Sequence, residues 1–254
     1  MNKKKEIPLH FQGKEALEHV LAARRKGREA SSEIHGEELP GHYNAAADAA
    51  KETSLVLLVL WTLLSEVGIP EISIHWISLS FMISFLVWKT GRSAILGWAR
   101  LERLHRLIEE ERWEIEHHRP QEKEELRALY AAKGFSGKLL DEAIETLMAD
   151  DNRLLQIMLE EELGLQLESY EHPLKQAAGA FLGVFVSASL MSLALFLLPW
   201  WGLALTAGLI IALASGSFAH LEKNKALDSM IWNTATALLG TAAAYFVAKM
   251  LFSK

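Results

Sequence analysis

Four glutamates carry the strongest chemical signal in this 254-residue chain: Glu111 and Glu114, three apart, then Glu122 and Glu125, again three apart. At helical pitch each pair lies on one face. Pro120 between them predicts the end of one helix just before it. Two such pairs facing each other across a turn place four carboxylates around one point, an oxygen-rich pocket suited to a divalent cation. The stretch 109–125 adds Glu109, Glu110, Glu116 and Glu124 against Arg112, Arg119 and Lys123. Like charges this dense repel along a helix and must be offset by water, salt or a bound ion. On charge pattern alone, a solvated acidic face accounts for the stretch better than a cation pocket does. Further on, Met158 and Glu162 are four apart and share a face of a later helix.

The composition sets the frame for these residues. Net charge is −6, half the residues are hydrophobic and 23% are charged. Those averages hide a segregation. Most charge lies before Lys51 and between Lys89 and Lys175, and long stretches elsewhere carry almost none, the pattern of a part-membrane, part-soluble protein. The chain has no cysteine, which excludes disulfides, thiolate zinc sites and cysteine nucleophiles. Met1–Lys5 is basic but no apolar run follows it, so a cleaved signal peptide is not expected. The acidic balance and the lack of a clustered basic and aromatic surface argue against nucleic acid. No Ser-His-Asp set, phosphate loop or acid–base pair stands out, and no enzyme reaction or organic cofactor is expected.

Read in order, the elements are helical throughout. Residues 14–28 predict a basic helix with Leu17, Val20 and Leu21 on one side. Two apolar stretches, 53–69 and 72–88, are short but workable membrane spans; the loop between them carries Glu66 and Glu71 and no Lys or Arg, which suits the outer side. After Trp88 nothing of proline strength interrupts the chain until Pro120. One long helix should therefore leave the membrane and enter the acidic region, with Leu101, Leu104, Ile108 and Ile115 as its apolar stripe. Gly134 stops a helix over 121–133; helices over 139–149 and 150–163 follow, and Pro173 closes the insert. Residues 177–219 contain no Asp, Glu, Lys or Arg, too long for one span and right for two, with the turn at Pro199, Trp200, Trp201 and Gly202. Residues 229–248 make the fifth. The expected fold is all-α, five transmembrane helices with a helical domain inserted between spans two and three. Its divisions are a cytosolic N-terminal region 1–50, spans over 51–99, an acidic domain over 100–172, and spans over 173–254. Lys and Arg before the first span predict a cytoplasmic N-terminus and acidic domain, with the C-terminus on the opposite side.

The insert resembles the vacuolar iron transporter family. The likeness rests on the Glu111, Glu114, Glu122, Glu125 spacing, on Met158 and Glu162 ahead of Leu163-Gly164-Leu165, and on the segment Tyr130-Ala131-Ala132-Lys133-Gly134. It implies that Glu111, Glu114, Glu122, Glu125, Met158 and Glu162 bind a divalent metal, iron(II) or manganese(II), as transported substrate. It also implies a homodimer in a lipid bilayer that exports the ion from the cytoplasm by proton exchange. Carboxylates suit Fe²⁺ and Mn²⁺ independently of any likeness, and the thioether adds a softer contact.

The spans depart from that family. Its Ser-Asp-Gly motif in span one and Ser-Met-Gly motif in span two are both missing. Glu52, with Asp48 one turn earlier, falls near the acidic position, and these two are the expected pathway residues. The methionine position falls on Lys89, followed by Gly91 and Arg92. Lys89 and Arg92 are expected to snorkel to the interface. A cation facing the path would repel Fe²⁺, so a membrane-anchored metal-binding or sensing protein is the alternative. The E-x-x-H pairs Glu102/His105 and Glu114/His117 fall on one helix, whereas a di-iron centre needs two. His75 and His220 read as interfacial, and Gly179/Gly183 as a close helix-packing site.

Overall fold

The computed structural model describes residues 16–31, 41–165, 171–199 and 201–252. Trp200 of the expected turn, and residues 1–15 and 32–40 of the expected N-terminal region, lie outside them. Among the described residues there are nine helices and no strand: α1 Ala16–Ser31, α2 Gly41–Val67, α3 Glu71–His117, α4 Arg119–Ala132, α5 Gly137–Met148, α6 Asp151–Glu161, α7 Pro173–Leu197, α8 Gly202–Leu221 and α9 Ala226–Phe252. They form two compact units. One comprises residues up to 34 with 99–170, and the other 35–98 with 171–254.

α3 is a single 47-residue helix, about 70 Å long at the α-helical rise. It passes through the expected span and acidic segment without a break, because Gly91 and Gly97 cost helix stability but do not remove the ladder as proline does. It stops where Pro120 dictates. His118 alone separates α3 from α4, and Pro120 occupies the first turn of α4, where a missing N–H costs nothing. The carbonyl of His118 accepts from Gln121 N–H at 2.8 Å and Glu122 N–H at 3.2 Å, so the turn locks the start of the helix that carries Glu122.

In the apolar unit, four helices are long and apolar enough to cross a membrane: α3, α7, α8 and α9. The expected fifth, α2, is not among them. Its stretch free of formal charge, 53–65, lies between Glu52 and Glu66 and falls short of the roughly 20 residues a hydrocarbon core requires. α2 nevertheless packs against α7, α8 and α9. A Cβ at Gly179 would lie 2.1 Å from the carbonyl oxygen of His42, and one at Gly183 2.2 Å from that of Ala46. The two glycines of α7 thus let the α2 backbone approach as no side-chain-bearing residue would permit. Leu57, Leu58, Met82, Met191, Leu203 and Ala207 form the interior. Large apolar side chains such as Trp88, Trp232, Leu239 and Phe246 point outward and are exposed. An apolar surface on this scale calls for lipid or partner protein as its surroundings.

The acidic unit has two small apolar cores. Ile115, Leu126, Leu140, Ile144, Leu154 and Met158 make one. Leu104, Leu159, Leu163 and Leu165 make the other, together with Ala23 of α1. Asp150 caps α6 through Oδ1, which accepts from Arg153 N–H at 2.8 Å. At the other end Gly164 adopts φ +67°, a conformation that disfavours side chains. The reversal lets Leu165 N–H donate to the Leu159 carbonyl at 2.9 Å and buries both Leu163 and Leu165. The Leu-Gly-Leu ending is therefore what holds the C-terminus of α6, and Glu162 with it, against the core.

Candidate metal centre

Three helices deliver carboxylates inward. α3 contributes Glu111, α4 contributes Glu122 and Glu125, and the C-cap of α6 contributes Glu162. Their exposures are 4%, 0%, 0% and 1%. Oxygens of Glu111, Glu122 and Glu162 lie within 4.8 Å of one another. Ligand atoms of Glu125, Glu162 and His19 do likewise. Glu162 belongs to both groups, so the two adjoin. The short α3–α4 turn brings the two helical pairs to one place, and the Gly164 reversal supplies the third side.

The remaining two expected ligands sit differently. Glu114 is half-buried and outside both groups, but its charge acts on Glu111, Glu122 and Glu125. Met158 is fully buried among Ile115, Leu126 and Leu154, in the apolar floor one turn before Glu162. His117, the histidine of the E-x-x-H pair, turns away. Its ring stacks on Trp113 and its Nδ1 lies 2.8 Å from the Trp113 carbonyl.

Burial of carboxylates in low dielectric favours the protonated form, and neighbouring carboxylates add to the effect. Desolvation, then the charges of Glu111, Glu125, Glu162 and Glu114, push Glu122 up to about 10. Desolvation also raises Glu125 to about 8, although a side-chain hydrogen bond with Glu162 pulls it back and Glu114 pushes it further up. Glu111 is held well above the ordinary carboxylate value by desolvation and by Glu162, Glu114 and Glu125. Oε1 of Glu111 is buried and accepts no hydrogen bond among the described residues. Such a group costs folding free energy until something positive or a proton meets it. Hard oxygen donors converging in a buried pocket fit a divalent cation, which would displace those protons.

His19 was not singled out by sequence. Its Nδ1 lies 3.0 Å from Glu125 Oε1 and 3.9 Å from Glu162 Oε1. The contact spans 106 residues in sequence, and the only local signal is that His19 adjoins the apolar side of a predicted basic helix.

The expected pathway residues occupy the other unit, on α2. Asp48 pairs with Lys51 at 2.7 Å. Glu52 pairs with Lys89 at 2.5 Å, with the Lys89 side chain 14% and that of Glu52 48% exposed. Lys89 therefore turns in to a carboxylate rather than outward, because an ion pair satisfies an ammonium on a largely apolar unit. Arg92 is exposed.

A family model described as the VIT family matches residues 99–249, which takes in Glu111, Glu114, Glu122, Glu125, Met158 and Glu162 but leaves α1 and α2, with His19, Asp48 and Glu52, outside. No curated protein matches the chain.

Proposed function

The chain belongs to the VIT family, a family of membrane metal transporters, and from that premise we propose that it exports Fe²⁺ or Mn²⁺ from the cytoplasm, by proton exchange. The observation that carries this reading is the set of four buried carboxylates on three helices. A protein that only needed a solvated acidic surface would leave them in water, at far lower cost. In this reading the acidic unit lies in the cytoplasm and captures the ion, with Glu111, Glu114, Glu122, Glu125, Met158 and Glu162 as its ligand set. Asp48 and Glu52 guard the inner mouth of the spans. α2 is the fifth span, supported by its packing against α7, α8 and α9 and by polar ends that lengthen a short apolar run. The N-terminus lies inside and the C-terminus outside. The family likeness supports a homodimer.

The experiment is Mn²⁺ uptake into proteoliposomes under an imposed proton gradient. Uptake by the wild type that is lost in Glu52→Ala supports export through these spans. A second reading rests on the Lys89–Glu52 ion pair: a fixed cation on the pathway carboxylate would leave a membrane-anchored metal-binding or sensing protein. Tight Mn²⁺ binding with no uptake would favour it.

A further inference from the structure

We propose that His19 is a metal ligand, and that α1 converts one half of the carboxylate pocket from an all-oxygen site into a mixed nitrogen and oxygen site. This rests on the reading that the carboxylates bind metal, and goes beyond it in assigning a donor from an element outside the residues matched by the family model.

Three observations carry it. First, α1 is seated, not loosely apposed. Val20 and Ala23 are buried, Ala23 in the core with Leu104, Leu159 and Leu163, and the Arg24 guanidinium donates to the Glu161 carbonyl at the end of α6. The residue next to Val20 on that helix is thereby held over the pocket. Second, a single ring nitrogen, Nδ1, lies 3.0 Å from Glu125 Oε1 and 3.9 Å from Glu162 Oε1, one donor atom aimed at two carboxylates of the pocket. Third, the adjoining group contains Glu111, buried and with an oxygen that accepts no hydrogen bond among the described residues.

On metal entry the proton shared between His19 Nδ1 and Glu125 leaves to solvent; the imidazole, neutral with its other proton on Nε2, offers the Nδ1 lone pair to the ion beside Glu125 and Glu162. An imidazole donor favours later first-row ions and does little for Mg²⁺ or Ca²⁺, which take oxygen. α1 therefore acts as a selectivity element for the capture site.

The test uses the full chain in detergent, loaded with one equivalent of Co²⁺, and cobalt X-ray absorption. Imidazole rings give multiple-scattering features that carboxylates do not. Expected is an imidazole signature in the wild type that disappears in His19→Gln, with Co²⁺ binding weakened about tenfold or more and Mg²⁺ binding nearly unchanged. His19→Gln keeps a hydrogen-bonding group for Glu125, and Val20 and Ala23 still anchor the helix. A role limited to holding Glu125 would therefore leave Co²⁺ affinity intact. Purely oxygen coordination in the wild type, or an imidazole signal that survives in His19→Gln, overturns the assignment while leaving the carboxylate site standing. Failure of the wild type to bind Co²⁺ at all overturns both.

Discussion

The molecule holds carboxylates in two settings. On α2, Glu52 is half-exposed and its partner is Lys89, while Asp48 pairs with Lys51 on the same helix. In the acidic unit, Glu111, Glu122, Glu125 and Glu162 are buried together, and after desolvation the charges that act on Glu111 and Glu122 are those of neighbouring carboxylates. The first setting comes with its positive charge built in. In the second, burial and mutual repulsion raise the cost of the charged form, a cost that protons or an incoming cation relieve. Acidic residues alone do not suit a cation; burying them together does more, because a buried carboxylate cluster carries a free-energy cost that an incoming cation relieves.

The contrast yields graded expectations. Glu122→Ala should have the largest effect, weakening Mn²⁺ binding by more than about 100-fold, since losing a ligand exceeds the cost of losing a supporting group. Glu52→Ala should leave equilibrium binding to the acidic unit unchanged. Isothermal titration of both variants checks this, and equal losses would erase the distinction between the two settings.

pH should act next most strongly. Glu122 and Glu125 have raised values, about 10 and about 8, so the folded protein holds more protons than the unfolded chain from about 4.5 upward. Metal-free protein should therefore lose stability as pH rises, through about 8 on account of Glu125 and through about 10 on account of Glu122. Mn²⁺ should restore more stability at pH 9 than at pH 6. Melting in detergent with and without Mn²⁺ measures both, and a metal-free protein that gains stability across this range would show that the carboxylates are not buried together.

Gly183→Ala probes the apolar unit. Its Cβ would meet the Ala46 carbonyl at 2.2 Å, so α2 must shift, at a cost of about 1–3 kcal/mol, seen as a lowered melting temperature with Mn²⁺ affinity intact. The smallest effect belongs to Lys89→Ala. With Glu52 half in solvent, that pair should contribute less than about 1 kcal/mol, and a larger loss would mean the ion pair is a structural element of the spans.

Much of this was legible in sequence wherever local chemistry decides. Pro120 stops α3 and starts α4, Gly134 and Asp150 bound the helices of the insert, and the absence of a strong breaker after Trp88 makes α3 continuous. The spacing of Glu111, Glu114, Glu122 and Glu125 was visible too, but not which of them go inside. Glu114 sits on the same face as Glu111 yet stays half-buried, since depth depends on what packs above the face. Contacts between distant segments were illegible for the same reason. His19 meets Glu125 only because Ala23 fits a core built from α3 and the end of α6. Lys89 meets Glu52 only once α2 and α3 lie together. The shortness of α2 as a span was readable in the positions of Glu52 and Glu66, although apolarity alone suggested five.

The most direct test counts protons. Titrating Mn²⁺ into the metal-free full chain at pH 7, in two buffers of different ionisation enthalpy, gives the number released per ion bound. Carboxylates held protonated by burial must give up at least one proton for each ion taken in. Mn²⁺ binding with no proton release, or no Mn²⁺ binding at all, would contradict the claim that this pocket is built to exchange protons for metal.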